Sequence, residues 1–570
     1  MPPFRPMRLA AALLALLVLA APAALARDAG RQGATRMVAA AHPMAAQAGL
    51  DALRNGGSAI DAAIAVQMVL NVVEPQASGI GGGGLMLYYD AAARTLHYYD
   101  GRETAPAGVD PRMFLDTDGR PVAFMQAVIG GQSVGVPGLL RLLDLAHRRH
   151  GKLPWADLFA PAIALAETGA PVAPRLAGRL KSETELKDDP QARGVFWRDD
   201  GSPLQTGDLL VQKELANTLR LIAREGAEAF YSGPLAAAIV ARVQGAARRS
   251  GALSLADLAG YKVVEHEPLC APYRARKICA APPVSSGGLA LLQMLGLLEG
   301  FDLAALDPTS AQAAHLIAEA SKLAFADREA YVGDPAFLDV PTAKLLAADY
   351  LAARARLIDP DKAQSGKAPP GKLAAIAPYP AGATLEIPAT SHMSIVDDAG
   401  NVVSFTTTIE AAFGSRLVVG GFLLNNELTD FSFLPEIDGR PVANAIAPGK
   451  RPRSSMTPAI AFDAAGAPLL AIGSAGGPTI IGAVLKTILG VIDWKLDVQS
   501  AIALPLALNF NGPTLLEQDA WPAETGPSLV ALGHETRFIP VPSGLHGLLR
   551  GSDGWTGGAD PRRDGVALGE

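Results

Sequence analysis

Two threonines, Thr390 and Thr408, carry the strongest chemical signal in this sequence. They lie at the two ends of a run that reads as a β-hairpin: Thr390-Ser391-His392-Met393-Ser394-Ile395-Val396-Asp397, a turn at Asp398-Ala399-Gly400, then Asn401 to Thr408. Apolar and polar residues alternate on the second arm, and an acidic, glycine-bearing turn joins the arms. A turn centred on Ala399 sets Asp397 opposite Asn401 and Thr390 opposite Thr408. Directly opposed residues bring their Cβ atoms to roughly 4.5–5.5 Å, so the two hydroxyls would meet. A threonine hydroxyl is a weak nucleophile that needs a base. A threonine at a chain N-terminus supplies its own, an α-amine with a pKa of about 7.7–8.0. Cleavage between Ala389 and Thr390 would expose that amine. The Thr390 hydroxyl could make the cut by attacking the Ala389 carbonyl, with Thr408 orienting it. An ordinary hairpin with threonines at strand positions is the competing reading of the spacing.

A second candidate is the step Gly476-Gly477-Pro478. Proline fits the first turn of a helix, and helix N-termini present unpaired N–H groups that favour negative charge. Gly476 and Gly477 could hold the oxyanion of a tetrahedral intermediate, often the largest catalytic contribution.

These residues, with their neighbours, resemble the γ-glutamyltranspeptidases. Thr390 to Ser394, Thr406 to Glu410 and Phe413-Gly414 look like the start of that family's small subunit. The resemblance runs on through Leu424 to Phe431, Lys450 to Pro458 and Gly473 to Gly477. Upstream, Gly56 to Ala63, Glu74-Pro75 and Pro282 to Gly288 fit as well. The resemblance implies a four-layer αββα sandwich of the N-terminal-nucleophile hydrolase type, an α/β fold with two central sheets between helical layers. It implies self-cleavage into a large chain ending at Ala389 and a small chain of residues 390–570, which stay together as a heterodimer. Thr390 would be the nucleophile, Thr408 its positioning partner, and Gly476 and Gly477 the oxyanion donors. Glu410, Glu427 and Asp430 would hold the α-ammonium of a γ-glutamyl donor. Arg102, with Ser454 and Ser455 on the other side, would hold its carboxylate. Small γ-glutamyl compounds such as glutathione are the expected substrates, and water, amino acids or peptides the acceptors.

Two departures qualify this. Glu410 stands where several members carry Asn, and the segment from Phe431 to Ala443 is shorter and lacks a lid tyrosine found in some members. A more open site would admit bulkier donors and more water. An acylase acting on glutaryl-cephalosporins is the nearest rival, but its donor would leave the three acids facing a neutral group. A non-catalytic binding member is the rival from another class.

The elements that must position these residues read as follows. Residues 1–26 look like a secretory signal, with Arg5 and Arg8 ahead of an apolar run and Ala24-Leu25-Ala26 before the cut. Export to the periplasm or beyond is expected, leaving a large chain from residue 27. Loss of the two arginines takes the net charge from −7 to −9. That charge, without a basic patch, argues against nucleic-acid or anionic-membrane partners. Helices are expected at 45–55, from Ser58 to about Val73, at 138–149, 155–168, 211–224, 234–247, 310–332 and 478–491. Strands are expected within 79–90, 95–100, 390–425 and 457–473. Residues 340–380 read as a surface excursion. Cys270 and Cys279 flank a second hairpin turning between Arg274 and Ala275, which would set them opposite each other. In an oxidising compartment a cross-strand disulfide is expected.

Some patterns carry no chemistry. Gly79 to Gly84 matches a dinucleotide-binding glycine pattern by letter but leads into a strand, the reverse of what that motif needs. None of the nine histidines has zinc-ligand spacing. His147 and His150 read as a solvated helix end, and His392 as a structural hydrogen-bonder. No metal or organic cofactor is expected.

Overall fold

The computed structural model describes residues 33–382 and 389–570. The expected leader therefore falls outside the described residues, and the Ala389–Thr390 bond falls within them. Asp397 closes the Thr390 hairpin. Its Oδ1 accepts the Ala399 and Asn401 N–H groups at 3.0 and 2.9 Å, and its Oδ2 accepts the Ala59 N–H at 3.0 Å. Gly400 supplies the left-handed turn residue at φ +84°, a conformation that costs glycine nothing. The register runs from Val402 opposite Val396 to Thr408 opposite Thr390.

That hairpin is the centre of a seven-stranded antiparallel sheet. Its order is Val566–Gly569, Met37–Ala40, Thr390–Val396, Val402–Thr408, Gly83–Asp90, Thr95–Asp100, Val264–His266. A six-stranded sheet lies against it, ordered Gly554–Ala559, His546–Gly551, Pro468–Gly473, Ala459–Phe462, Arg276–Ala280, Leu269–Tyr273. The Thr390–Val396 strand touches both His546–Gly551 and Pro468–Gly473 across this interface.

Side-chain alternation explains the layering. Met393, Ile395, Val403 and Phe405 point away from the second sheet, into one core with helices Pro43–Arg54 and Ala59–Val73. His392, Ser394, Ser404 and Thr406 point between the sheets and are satisfied there. His392 Nδ1 pairs with Thr406 Oγ1 at 2.8 Å. Ser394 and Ser404 donate to the carbonyls of His546 and Ile472, each at 3.0 Å. A second core gathers the six-stranded sheet with helices Gly287–Leu298, Ala311–Tyr331 and Thr479–Ile492. The result is helix, sheet, sheet, helix, as expected.

Local signals resolve as their chemistry dictates. Ser58 and Asp61 form a full capping box at Ala59–Val73, a cap whose loss costs about 1 kcal/mol. Cys270 stands opposite Cys279 and is bonded to it. The turn between them places Arg274 and Ala275 at φ +48° and +58°, the two left-handed residues a tight hairpin requires.

Residues 340–380 run over the surface, most of them exposed or half-buried. Within them lie helices Thr342–Leu345 and Ala348–Ala355, and Asp327 of the long helix holds the Gly371 N–H at 2.7 Å. One expectation needs correction: His147 and His150 are not a solvated helix end. His147 Nε2 meets the Leu153 carbonyl at 2.9 Å, and His150 Nε2 meets the Tyr99 hydroxyl at 2.7 Å while its ring packs on Tyr88. The tyrosines of neighbouring strands cover that end of the helix.

Burial holds several histidines neutral. It lowers His42, His150 and His534 to about 4 and His546 to about 3, and it drives His392 well below its usual value. In the unfolded chain each binds a proton near pH 6.5, so stability is lost as pH falls from there to about 4. For the fully buried His546 the loss near pH 5 is about 2 kcal/mol. The urea midpoint near pH 5 should therefore lie well below that at pH 7. Equal midpoints would contradict the neutral burial of these rings.

Candidate active site

Thr390, Thr408, Glu410, Glu427, Asp430, Arg102, Ser454, Ser455 and Gly477 all line one cleft, together with Met456 and Ile480. The sequence elements that bring them there are separate. The central hairpin supplies both threonines. A short 3₁₀ turn, Glu427–Asp430, supplies two acids. Arg102 follows the Thr95–Asp100 strand, and Gly477 precedes helix Thr479–Ile492.

Around the Ala389–Thr390 bond the hydroxyls form a chain. Thr390 Oγ1 donates to Thr408 Oγ1 at 3.4 Å, and Thr408 Oγ1 donates to the Ala389 carbonyl at 2.8 Å. The Glu410 N–H donates to the same Thr408 oxygen at 2.8 Å. Thr408 is thus fixed by one donated and two accepted bonds, which aims its proton at the carbonyl and orients Thr390. Glu410 stands at φ +73°, a region that Asn and Gly enter more easily than a longer side chain. Its N–H bond to Thr408 and its carboxylate bond to Asn426 Nδ2 hold it there.

Arg102 lies nearer the acids than the sequence reading supposed. Its Nη1 donates to Glu427 Oε1 and its Nη2 to Asp430 Oδ2 at 2.5 Å, both ion pairs fully buried. Its Nε also donates to the Pro452 carbonyl at 3.1 Å. Burial works against the guanidinium charge, but Glu427 and Asp430 outweigh it and raise the pKa of Arg102. The acids and the arginine form one clamp, not two opposite walls. The serines are anchored by residues that precede Thr390 in the chain: Ser285 and Ser286 hold the backbone of Ser454 to Met456, and Arg328 Nη2 donates to Ser455 Oγ at 2.8 Å.

Gly476 and Gly477 adopt φ +133° and +59°. A Cβ on Gly476 would lie 2.2 Å from Thr479 Oγ1 and 2.6 Å from the Pro542 carbonyl. Position 476 is closed to side chains. Among the described residues neither glycine N–H has a hydrogen-bond partner.

Sequence reasoning missed Arg563, whose Nη1 donates to the Thr390 carbonyl at 2.9 Å and whose Nε donates to the Ser543 carbonyl at 2.5 Å. It also missed the support behind Thr390, where Ser391 Oγ donates to Glu74 Oε2 at 3.0 Å. Arg563 arrives from near the C-terminus with no spacing that relates it to Thr390. The aromatic packing of the segment after Phe431 was missed as well: Phe433 stacks on Phe114 at 4.6 Å and on Phe124 at 6.0 Å between ring centroids. Among the described residues no cluster of three or more His, Cys, Asp or Glu side chains could hold a metal ion.

The comparisons agree with this geometry. The family model described as "Gamma-glutamyltranspeptidase" matches residues 45–570. A relative named "Glutathione hydrolase proenzyme" from Bacillus subtilis is 40% identical over 95% of this chain and 92% of its own length. One named "Acylase ACY 1 proenzyme" from a Pseudomonas species is 37% identical over 94% of each chain. The solved structure of a cephalosporin acylase from Bacillus halodurans superposes with a TM-score of 0.82 at 29% identity, over 94% of this chain and 96% of that one. With two stacked sheets, threonines paired on the central hairpin and a family match across nearly the whole described length, the chain belongs to the γ-glutamyltranspeptidase family and has the N-terminal-nucleophile hydrolase fold.

Proposed function

We propose that this protein is a γ-glutamyl hydrolase and transferase, made as a precursor that cuts itself between Ala389 and Thr390. The observation that carries the reading is the hydroxyl chain from Thr390 through Thr408 to the Ala389 carbonyl. In the cut, Thr390 Oγ attacks the Ala389 carbonyl carbon and the peptide C–N bond breaks. The hydroxyl proton ends on the Thr390 nitrogen, leaving an ester that water hydrolyses. The new α-amine then serves as the base for turnover. It takes the hydroxyl proton as Thr390 attacks the γ-carbonyl of the donor and returns it to the leaving amine. Water or an amino acid releases the γ-glutamyl ester. The Gly476 and Gly477 N–H groups receive the oxyanion. Arg102 binds the donor's α-carboxylate with Ser454 and Ser455, and Glu427, Asp430 and Glu410 take its ammonium.

The two chains, residues 27–389 and 390–570, would remain one heterodimer, because each sheet contains hydrogen-bonded strands from both. Export by the leader is part of the same reading; no helix among the described residues is long and apolar enough to cross a membrane.

A glutaryl acylase is the second reading, favoured by the similarity to proteins named acylases. A matched pair of chromogenic anilides, γ-glutamyl and glutaryl, differs by the α-amine alone. The γ-glutamyl anilide should be turned over faster by about tenfold or more, the scale of one lost charge-assisted bond. Equal or faster turnover of the glutaryl anilide would establish the acylase reading, and turnover of neither would leave a binding protein.

A further inference from the structure

We propose that Glu103 is held as a neutral carboxylic acid that donates its proton to Glu427, and that this bond positions Glu427 against Arg102. Glu103 follows Arg102 in the chain and is fully buried. Its side chain reaches behind the clamp. Neither of its carboxyl oxygens is hydrogen-bonded by another residue's donor among the described residues; only its own N–H and the Glu427 carboxyl lie within reach. Two buried carboxyl groups in such contact share a proton, because both cannot ionise side by side.

The charge count points the same way. Glu427 and Asp430 already divide the Arg102 guanidinium between them. A third ionised carboxylate there would be a buried charge without a counter-ion, which is strongly destabilising. Arg102 favours the ionised form of Glu103, but burial and Glu427 oppose it and push its pKa well up. The phenols of Tyr231 and Tyr261 also lie near it, and burial keeps them neutral. The Tyr261 hydroxyl is engaged with the Arg102 carbonyl at 2.7 Å. The backbone is shaped around the acid: a Cβ on Gly83 would lie 2.5 Å from Glu103 Oε2, and one on Gly135 would lie 2.9 Å from Glu103 Cβ.

The consequence is a fixed charge in the donor site. With Glu103 neutral, Glu427 is an oriented carboxylate that can exchange its bond with Arg102 for one with the donor's ammonium. Glu103 is a positioning residue: it acts through Glu427 and is not assigned a contact with the donor.

The kinetic part rests on the γ-glutamyl reading; the protonation part does not. Two variants, Glu103→Gln and Glu103→Ala, are compared with wild type by infrared difference spectroscopy at pH 7 and by donor kinetics. Wild type minus Glu103→Gln should show one protonated-carboxyl C=O band. Glu103→Ala should raise KM for a γ-glutamyl anilide about tenfold, the scale of one lost hydrogen bond to a charged group. Glu103→Gln, whose amide can donate to Glu427 in place of the acid, should recover most of that loss. Absence of the band, or a Glu103→Gln variant as impaired as Glu103→Ala, would overturn the proposal. If no γ-glutamyl donor is turned over, the functional reading fails while the infrared band still decides the proton.

Discussion

Replacing Thr390 with Ala is expected to leave a single uncut chain, the 58.9 kDa full-length mass less the leader, and to lower turnover by several orders of magnitude, the scale seen when a sole nucleophile is removed. Both effects come from one atom. Thr390 Oγ1 is the hydroxyl placed against Thr408 beside the scissile carbonyl, and without it neither the acyl shift nor the later ester can form. The fold should survive. The variant loses one 3.4 Å hydroxyl contact, while the Thr408 bond to Ala389 and the Arg563 bond to the Thr390 carbonyl remain. Denaturing mass measurement and a urea curve separate loss of cutting from loss of folding. Thr390→Ser keeps a hydroxyl at the same place and should cut more slowly but to the same N-terminus. If Thr390→Ala still yields a chain beginning at residue 390, the cut is made by another agent, and the nucleophile must be sought elsewhere.

The parts of this site that were legible in the sequence are those set by local geometry. Hairpin register is fixed by turn chemistry, so Asp397, Gly400 and alternation were enough to bring Thr390 and Thr408 together. The capping box at Ser58 and the facing cysteines belong to the same class. Arg102, Glu427 and Asp430 were legible as members of the site but not as partners. Their contact spans two chain segments more than 300 residues apart, and no periodicity reports a distance of that kind. Arg563 is the extreme case, since its link to Thr390 depends on how the last strands close both sheets. The buried polar layer at His392, Ser394 and Ser404 inverts the usual rule that the alternating polar face is the wet one, because two sheets, not sheet and solvent, meet there.

Gly476→Ala should separate the two reactions proposed for Thr390. In the precursor the scissile carbonyl of Ala389 is met by the Thr408 hydroxyl at 2.8 Å, so cutting does not depend on the glycine step. Turnover does, if the Gly476 and Gly477 N–H groups receive the substrate oxyanion. A methyl at Gly476 would fall 2.2 Å from Thr479 Oγ1 and 2.6 Å from the Pro542 carbonyl, in a backbone held at φ +133°. Neither neighbour yields without moving: Thr479 opens the helix and also donates to the Gly476 carbonyl at 2.8 Å. The backbone must therefore rotate, and both N–H vectors turn with it. Oxyanion donors act by being fixed before charge develops, and losing one costs about 10²–10³-fold in kcat. The expected variant is fully cut, starts its small chain at Thr390, binds donor with nearly normal KM, and turns over about 10²–10³-fold more slowly. Its own processing serves as the folding control, since only a correctly closed central hairpin aligns the hydroxyls. Turnover within a few-fold of wild type would remove the glycine pair from the mechanism, and the Thr408 hydroxyl, already aimed at a carbonyl in the precursor, would become the oxyanion donor for both reactions.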